Sequence, residues 1–497
     1  MNPERTPVII GVGQVNDRPE AADAGLDSLG LMAAALGKAE ADVGAPVLGA
    51  LDMLTIVDQI SFRELGDLCE PLATAIGARP KIAYQSPAPH GDTPIRLLNE
   101  AANRIGAGEV KLAAVVGGEA LRTAAARAAR RSADGRAPDP LRMRRREPSQ
   151  AQAYGLTAPV DVYPLYENAG RAAYGQTLAD AQAESGRIWS LLSEVAAAND
   201  GAWIRKAMSA EEIITPSERN RPLAFPYTKL TVANSAVNQG AGFIVASLAE
   251  ARRLGVPEQQ HIYVGLGAAA KEHADILRRD RYDRSVSMDT SLRRTLALNG
   301  LEIGDIDLVE LYSCFPCVPK MARRTLGWAA DRPATVFGGL TFGGGPIANY
   351  MSHAVVSMVH RLRREGRNGL LFANGGFATD NHSIVLSRTP IPAATFPQDF
   401  NYQAEADAAR EPIPEYDPEH LGEACIETYT VFHGRSGEPS GGVVVARTPA
   451  GLRSLAHVDV SDPATLAFLT DGRAEPVGSR GRIALQEPLG RVWIHQP

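Results

Sequence analysis

The chain has 497 residues, 44% hydrophobic and 22% charged, which is the usage of a folded globular protein and excludes a disordered one. At roughly 100–200 residues per domain it holds two to four domains or one large duplicated α/β unit. Its 51 basic and 57 acidic residues leave a net charge of −6, which excludes nucleic acid as a default partner, because phosphate backbones call for a net basic face. Four cysteines (Cys69, Cys314, Cys317, Cys425) are too few to staple a chain of this size, which points to a reducing, cytoplasmic compartment. The opening residues carry no apolar leader core, and no run approaches the ~18 apolar residues of a membrane span.

Val8-Ile9-Ile10 reads as a strand, and Gly11-Val12-Gly13 as a tight turn after it; the third glycine of a dinucleotide fingerprint is missing, since Val15 and Asn16 follow Gln14. Helical stretches, short apolar strands and Gly-rich turns then alternate to about residue 390, the α/β pattern. Two segments within it share a plan. Gly91-Asp92-Thr93-Pro94 leads into a helix over 96–105, a turn at Gly106 and Gly108, and a strand over 110–116 that runs into Gly117-Gly118. Gly344-Gly345-Pro346-Ile347 leads into a helix through Arg364, a turn at Gly366, and a strand over 369–374 that runs into Gly375-Gly376. The matching order predicts an internal duplication, and proline near a first helical turn is favourable because its missing N–H has no partner there.

Residues 122–230 read as an insertion between the two halves. Arginines 122, 127, 130, 131, 136, 142, 144, 145 and 146 stand among alanines, and helical sequence dotted with Tyr163, Tyr166, Tyr174, Trp189 and Trp203 follows. From about 396 the texture turns to short β-like runs (427–432, 441–446, 481–485) separated by Gly, Ser, Pro and Asp, predicting a separate small all-β, OB-like module. The expected divisions are 1–121, 122–230, 231–395 and 396–497.

Cys314-Phe315-Pro316-Cys317 stands between an apolar strand and a helix, the setting that lowers a thiol pKa for disulfide exchange. A thioredoxin unit is small and self-contained, whereas this pair lies deep inside a long α/β chain, so the thiol–disulfide reading is a minor alternative. Cys69 and Cys425 supply no second pair for zinc, and no metal site is expected.

A different resemblance accounts for more residues. The run from Asp307 to Phe315, with Glu310, Tyr312 and Cys314, resembles the V-E-x-N-E-A-F turn of thiolases and more closely the H-D-C-F version of sterol-carrier-protein-type thiolases. Phe337 to Pro346 resembles their G-H-P segment, Leu371 to Gly376 their C-x-G strand, and Thr231 to Ala241 the opening of their second half; the helix over 94–105, with Ala107-Gly108-Glu109 and Gly117-Gly118-Glu119, resembles the segment after the nucleophile. The resemblance spans about residues 5–390. It implies a duplicated five-layer αβαβα thiolase fold, coenzyme A or acyl-CoA as substrate or ligand with no covalent cofactor, and an insertion that covers coenzyme A, one or two of whose arginines over 127–146 hold its phosphate. The extra β module is similar to that of thiolase-like proteins often labelled acetyl-CoA acetyltransferase.

The same alignment places Gly91 at the nucleophilic cysteine, Gly345 at the G-H-P histidine, Ala373 at the C-x-G cysteine and Tyr312 at the N-E-A-F asparagine. An acyl-enzyme needs a thiolate and a base beside it, which glycine does not offer, so ordinary thiolysis is not expected. What remains for such a pocket is stabilising a thioester enolate, as in C–C bond formation or retro-aldol cleavage of a 3-hydroxyacyl-CoA. Thiolase-like aldolases of sterol side-chain breakdown, which use tyrosines and an OB-fold partner, resemble this arrangement. Tyr312 is the expected oxyanion donor, and Cys314 either the acid/base of the H-D-C-F motif or a small core residue. His353, two helical turns beyond Pro346, points back to the pocket or is a helix histidine. His90 and Asp92 flank the vacant position, with capping by Asp92 and Thr93 as the other reading. Asn234 and Ser235 are carried over as pantetheine contacts. Gly91, Gly344, Gly345 and Gly375 bring backbone amides near a thioester, and Asn349 and Tyr350 are further pocket candidates. The other classes are a non-catalytic acyl-CoA scaffold and a covalent mechanism through Cys314 itself. A homodimer follows from the family, or a monomer if the β module covers the dimer edge.

Overall fold

The computed structural model describes residues 1–133 and 148–496. In chain order the first half comprises β1 (Pro7–Asn16), α1 (Ser28–Val43), β2 (Met53–Ile56), α2 (Cys69–Ala75), β3 (Ile82–Gln85), α3 (Thr93–Ala107), β4 (Leu112–Ala120) and α4 (Leu121–Ala133). Helices α5 (Gln150–Ala153), α6 (Pro159–Ala173), α7 (Leu178–Ala198) and α8 (Ala210–Ile214) follow, with a short hairpin of β5 (Pro222–Ala224) and β6 (Tyr227–Thr228). The second half holds β7 (Asn238–Ser247), α9 (Leu248–Arg253), β8 (Ile262–Lys271), α10 (Val286–Leu298), β9 (Leu308–Leu311), α11 (Cys317–Leu326), α12 (Tyr350–Leu362), β10 (Asn368–Gly375) and β11 (Asp380–Ser387). The chain closes with α13 (Gln403–Ala409), β12 (Gly422–His433), β13 (Pro439–Arg447), β14 (Arg453–His457), α14 (Pro463–Thr470), β15 (Arg480–Gln486) and β16 (Gly490–His495).

The large sheet runs β3-β2-β4-β7-β1-β8-β11-β10-β9. It is two half-sheets of one design: an outer parallel set (β3-β2-β4; β9-β10), then an antiparallel strand (β7; β11), then a strand antiparallel to that (β1; β8). They join only through Val8–Tyr263 and Ile9–Ile262, so the halves are free to fold over one another. Helices α3 and α12 each touch strands of both half-sheets and each other, whereas α1 covers the outer face of β1, β7 and β4, and α10 that of β8 and β11. This gives the five layers expected from the resemblance. Strands β4, β7, β10 and β11 are buried along their whole length, as strands covered by helices on both faces are. Gly11 and Gly13 are a correction: they lie inside β1, not in a turn, because α1 packs directly over the strand there.

The C-terminal strands close a five-stranded barrel: β12 pairs with β13, β13 with β14, β14 in parallel with β16, β16 with β15, and β15 back with β12. That order, with α14 between β14 and β15, is the OB arrangement. The barrel docks on α6, where Asn168 donates to the Tyr429 carbonyl (2.8 Å), and on the second half, where buried Arg453 donates to the carbonyls of Leu277 and Arg279 (both 2.6 Å). It adds no strand to either edge of the large sheet. No helix among the described residues is long and apolar enough to cross a membrane.

Candidate functional site

Three chain segments meet at the top of the central layer: the turn after β9, the end of β10, and the start of α3. Tyr312 follows β9, its N–H held by the Phe372 carbonyl at 3.2 Å. A Cβ at Gly91 would collide with the Asn374 carbonyl oxygen and lie 2.7 Å from the Tyr312 hydroxyl, while one at Gly375 would lie 3.1 Å from the Gly91 nitrogen. Only a residue without a side chain fits at 91. The phenol of Tyr312 takes the space that a nucleophilic side chain there would need. Tyr312 is 6% exposed and meets Tyr350 edge-on, with ring centroids 5.5 Å apart. Burial first, then Cys314 and Asp92, hold the phenol well above its ordinary pKa, so at neutral pH it is a proton-bearing donor. From α6, Tyr163 closes the other side: its hydroxyl donates to Asn374 Oδ1 (2.8 Å) and accepts from the Ala378 N–H (3.0 Å).

Charged groups surround the entry to α3. Asp92 has helical backbone angles (φ −85°, ψ −10°) and its side chain makes no capping bond; Thr93 lies inside the first turn with its hydroxyl oxygen buried and unpartnered. The capping reading of both residues is therefore corrected, because a capping side chain needs extended backbone beneath it. Asp380, opening β11, accepts from His90 Nδ1 (3.3 Å) and Lys271 Nζ (2.8 Å). Burial pushes the Asp380 carboxyl up, but these two hydrogen bonds outweigh it and hold it at about 2. Asp92 is pushed upward, by burial and then by Asp380. The hydrogen bond to Asp380 raises His90 and Lys271. The side chains of His90 and Lys271 are 51% and 66% exposed against 8% for Asp380, so the cations form a rim over a sunken carboxylate. Two neighbouring carboxyls thus have their affinities for protons driven apart, the pattern of an acid–base pair. Sequence reasoning named His90 and Asp92 but missed Lys271 and Asp380. The β8–β11 register sets those two opposite each other, and nothing local in the chain signals a pairing across more than a hundred residues.

The start of α12 is built differently. The Gly345 N–H donates to the Asn234 carbonyl (2.8 Å), and the Asn234 N–H to Leu340 (3.0 Å). At Gly344 (φ +110°) a Cβ would collide with Gln239, whose Nε2 donates to the Gly343 carbonyl at 2.9 Å. Ser235 is exposed. Asn349 donates to the Gly117 carbonyl (2.7 Å), and Tyr350 to the buried Glu310 carboxyl (2.7 Å). Glu310 also accepts from Thr335, Val336 and Phe337; burial still pushes it up to about 7. His353 turns toward β1: Nδ1 meets Gln14 at 2.9 Å, the ring stacks on Phe337 at 5.1 Å, and burial holds it neutral, at about 3. Asn349, Tyr350, His353 and the Gly345 amide thus each bond within the protein, while Asn349 Oδ1 and His353 Nε2 stay buried without a partner among the described residues.

Cys314 and Cys317 are free and buried, and burial pushes Cys314 to about 12 and Cys317 well above its ordinary value. Helix α11 begins at Cys317, but burial there outweighs the lowering that a helix start gives a thiol. The disulfide-exchange and Cys314-nucleophile readings lack a thiolate. Of the arginine run, Arg127 donates to the carbonyls of Asp23 and Gly25 and Arg130 pairs with Asp23 (2.7 Å), whereas arginines 136, 142, 144, 145 and 146 lie outside the described residues.

Comparison with known structures bears on this geometry. A monomeric SCP2-thiolase like protein type 1 from Mycobacterium smegmatis matches at 29% identity and TM-score 0.82, over 99% of this chain and 100% of that one. The chain is thiolase-like. Residues 403–487 of this thiolase-like chain match the family described as the thiolase-like protein type 1 additional C-terminal domain. Two further structures share the thiolase fold over 78% of this chain: an Ltp2-ChsH2(DUF35) aldolase (18% identity, TM-score 0.58, 98% of that chain) and a human mitochondrial 3-ketoacyl-CoA thiolase in complex with CoA (15%, 0.56, 100%). No curated protein matches the sequence.

Proposed function

We propose that the chain binds a coenzyme A thioester in the thiolase cradle and cleaves a 3-hydroxyacyl-CoA by a retro-aldol step, with no acyl-enzyme. The observation that carries this reading is the phenol of Tyr312 in the space a Cβ at Gly91 would need. Its raised pKa makes it a donor to an oxyanion rather than a base. In the step, the Asp92 carboxylate takes the 3-hydroxyl proton, the Cα–Cβ bond breaks, and its electron pair moves onto the thioester carbonyl as an enolate that accepts a hydrogen bond from Tyr312. The same carboxyl returns the proton to Cα, leaving a shortened acyl-CoA and a carbonyl compound. Asp92, raised by burial, suits both directions of that transfer. The resemblance in fold to the aldolase and to the CoA-bound thiolase supports the substrate class. In this reading residues 122–230 cover the ligand and the protein acts in the cytoplasm in lipid metabolism; the description of the M. smegmatis relative as monomeric favours a monomer.

A panel of 3-hydroxyacyl-CoA substrates, followed by release of aldehyde or ketone, tests the reading, and turnover should fall ~100–1000-fold in Tyr312→Phe. Intact-mass measurement after exposure to acetyl-CoA should show no adduct. A second reading, a non-catalytic acyl-CoA binder, is favoured by the Gly345 amide being engaged by Asn234 and by Gln239 filling the space at Gly344. Coenzyme A binding without turnover across the panel would select it.

A further inference from the structure

The turn joining β10 to β11 separates two parts of the site: the Asn374 carbonyl, which crowds Gly91, and Asp380, which pairs with His90 and Lys271. It runs over residues 376–379. Gly376 (φ +61°) and Ala378 (φ +55°) are both left-handed, and an alanine keeps that backbone only where its surroundings impose it. Here the surroundings are residues distant in the chain. The Tyr163 hydroxyl accepts from the Ala378 N–H (3.0 Å), and Tyr166, one turn further along α6, donates to the Phe377 carbonyl (3.0 Å). Arg279, between β8 and α10, donates through Nη2 to the same carbonyl (2.8 Å) and to Thr379 Oγ1 (3.1 Å), and through Nε to the Tyr166 hydroxyl (2.8 Å). Its remaining arm donates to the His273 carbonyl.

Arg279 is 2% exposed, and among the described residues no carboxylate lies at ion-pair distance from it. Burying a guanidinium among neutral acceptors is unfavourable unless its donors are matched, and its rigid planar fork lets one side chain hold α6 and the turn together. The hold continues into the barrel. Arg453 of β14 donates to the Arg279 carbonyl (2.6 Å), and its other nitrogens bond Glu427 of β12 at 2.8 and 2.6 Å. We infer that Arg279 and Arg453 are positioning residues, through which the C-terminal barrel sets the β10–β11 turn and with it the contact of Asp380 with His90 and Lys271. The relay stands on these hydrogen bonds; only its consequence for turnover rests on the function proposed above.

Histidine NMR on the intact chain tests the relay, with the His90 signal assigned by its loss in His90→Gln. The charged groups that face His90 are Asp380, Asp92 and Lys271, and the bond to Asp380 raises it most. In Arg279→Lys the His90 titration should move down, in the direction of Asp380→Asn, with unfolding still cooperative. Lysine keeps the charge, so the lost fork alone causes that move. In Arg279→Gln the loss of a cation would by itself move His90 up, whereas a loosened Asp380 contact moves it down. Arg453→Lys should act in the same direction by less, and Tyr166→Phe, which removes a single hydroxyl, supplies the same sign should the Arg279 variants fail to fold. Turnover of a 3-hydroxyacyl-CoA should fall roughly 10–100-fold in kcat in Arg279→Lys with KM little changed, since a misplacement of ~1 Å can cost about 100-fold. A His90 titration that stays in place or moves up in folded Arg279→Lys or Tyr166→Phe overturns the relay. Movement in both of these but not in Arg453→Lys overturns the part given to the barrel. A downward move in all three, in a protein that turns over no thioester, supports the relay and removes the aldolase.

Discussion

The starts of α3 and α12 occupy equivalent places in the two halves, yet they have become opposite kinds of environment. At α3 the polar groups are ionisable: His90, Asp92, Asp380 and Lys271 stand around Gly91, with the two cations open to solvent. At α12 most are amides and hydroxyls (Asn234, Gln239, Asn349, Tyr350) bonded to backbone or to Glu310 and buried but for Asn234, which is half-buried. A duplicated scaffold therefore need not keep duplicated chemistry. Titratable groups remain where solvent and a neighbouring half can tune them, and neutral hydrogen bonds take over where the turn is sealed.

If the α12 end is a structural anchor, Glu310→Ala should have the largest effect on the molecule. It leaves Tyr350, Thr335 and two backbone N–H groups without an acceptor, and denaturant unfolding should report a loss of about 3–5 kcal/mol. Tyr312→Phe addresses the other end. It should cost about 2.7–4 kcal/mol of transition-state stabilisation, a drop of ~100–1000-fold in turnover of whichever 3-hydroxyacyl-CoA is processed, with the fold retained. Near-normal turnover in that variant would remove the phenol from the chemistry. Gly91→Ala tests the packing around the start of α3. The added methyl meets Asn374 and Tyr312, and thermal or urea unfolding should show about 1–3 kcal/mol of destabilisation. A neutral Gly91→Ala would mean that the position can open to hold a side chain.

The smallest effect concerns the rim. Because the bond to Asp380 raises the folded pKa of His90, the stability it adds is complete below the ordinary histidine value and is lost as pH rises through the folded one. Histidine NMR should show the His90 titration moving down in Asp380→Asn, and the slope of stability against pH above 6 should flatten, by less than about 1 kcal/mol because the imidazole is half exposed. Asp380 itself acts at the acid end: its contribution is present above the unfolded value near ~3.9 and disappears as pH falls through about 2. An unmoved His90 would show that the rim contact does not persist in solution.

Much of the architecture is legible in the chain itself. The repeated order of glycine turn, proline, helix, turn and strand announces the two halves, because local punctuation and apolar runs are properties of neighbouring residues. The same holds for the shift to short β runs after residue 396, whereas the reading of Gly91 as the nucleophile position is what the resemblance implies. Tertiary structure alone decided what occupies that gap and what surrounds it. Tyr312 fills it because β9 of one half ends against the helix of the other, and Asp380 joins His90 and Lys271 because a strand register brings positions 271 and 380 together. It also turned His353 and Tyr350 inward, since the central layer buries every face of α12 that a sequence pattern would leave open to a ligand. Side-chain identity is written along the chain, whereas desolvation, register and the partner across a layer exist only once distant segments are packed together.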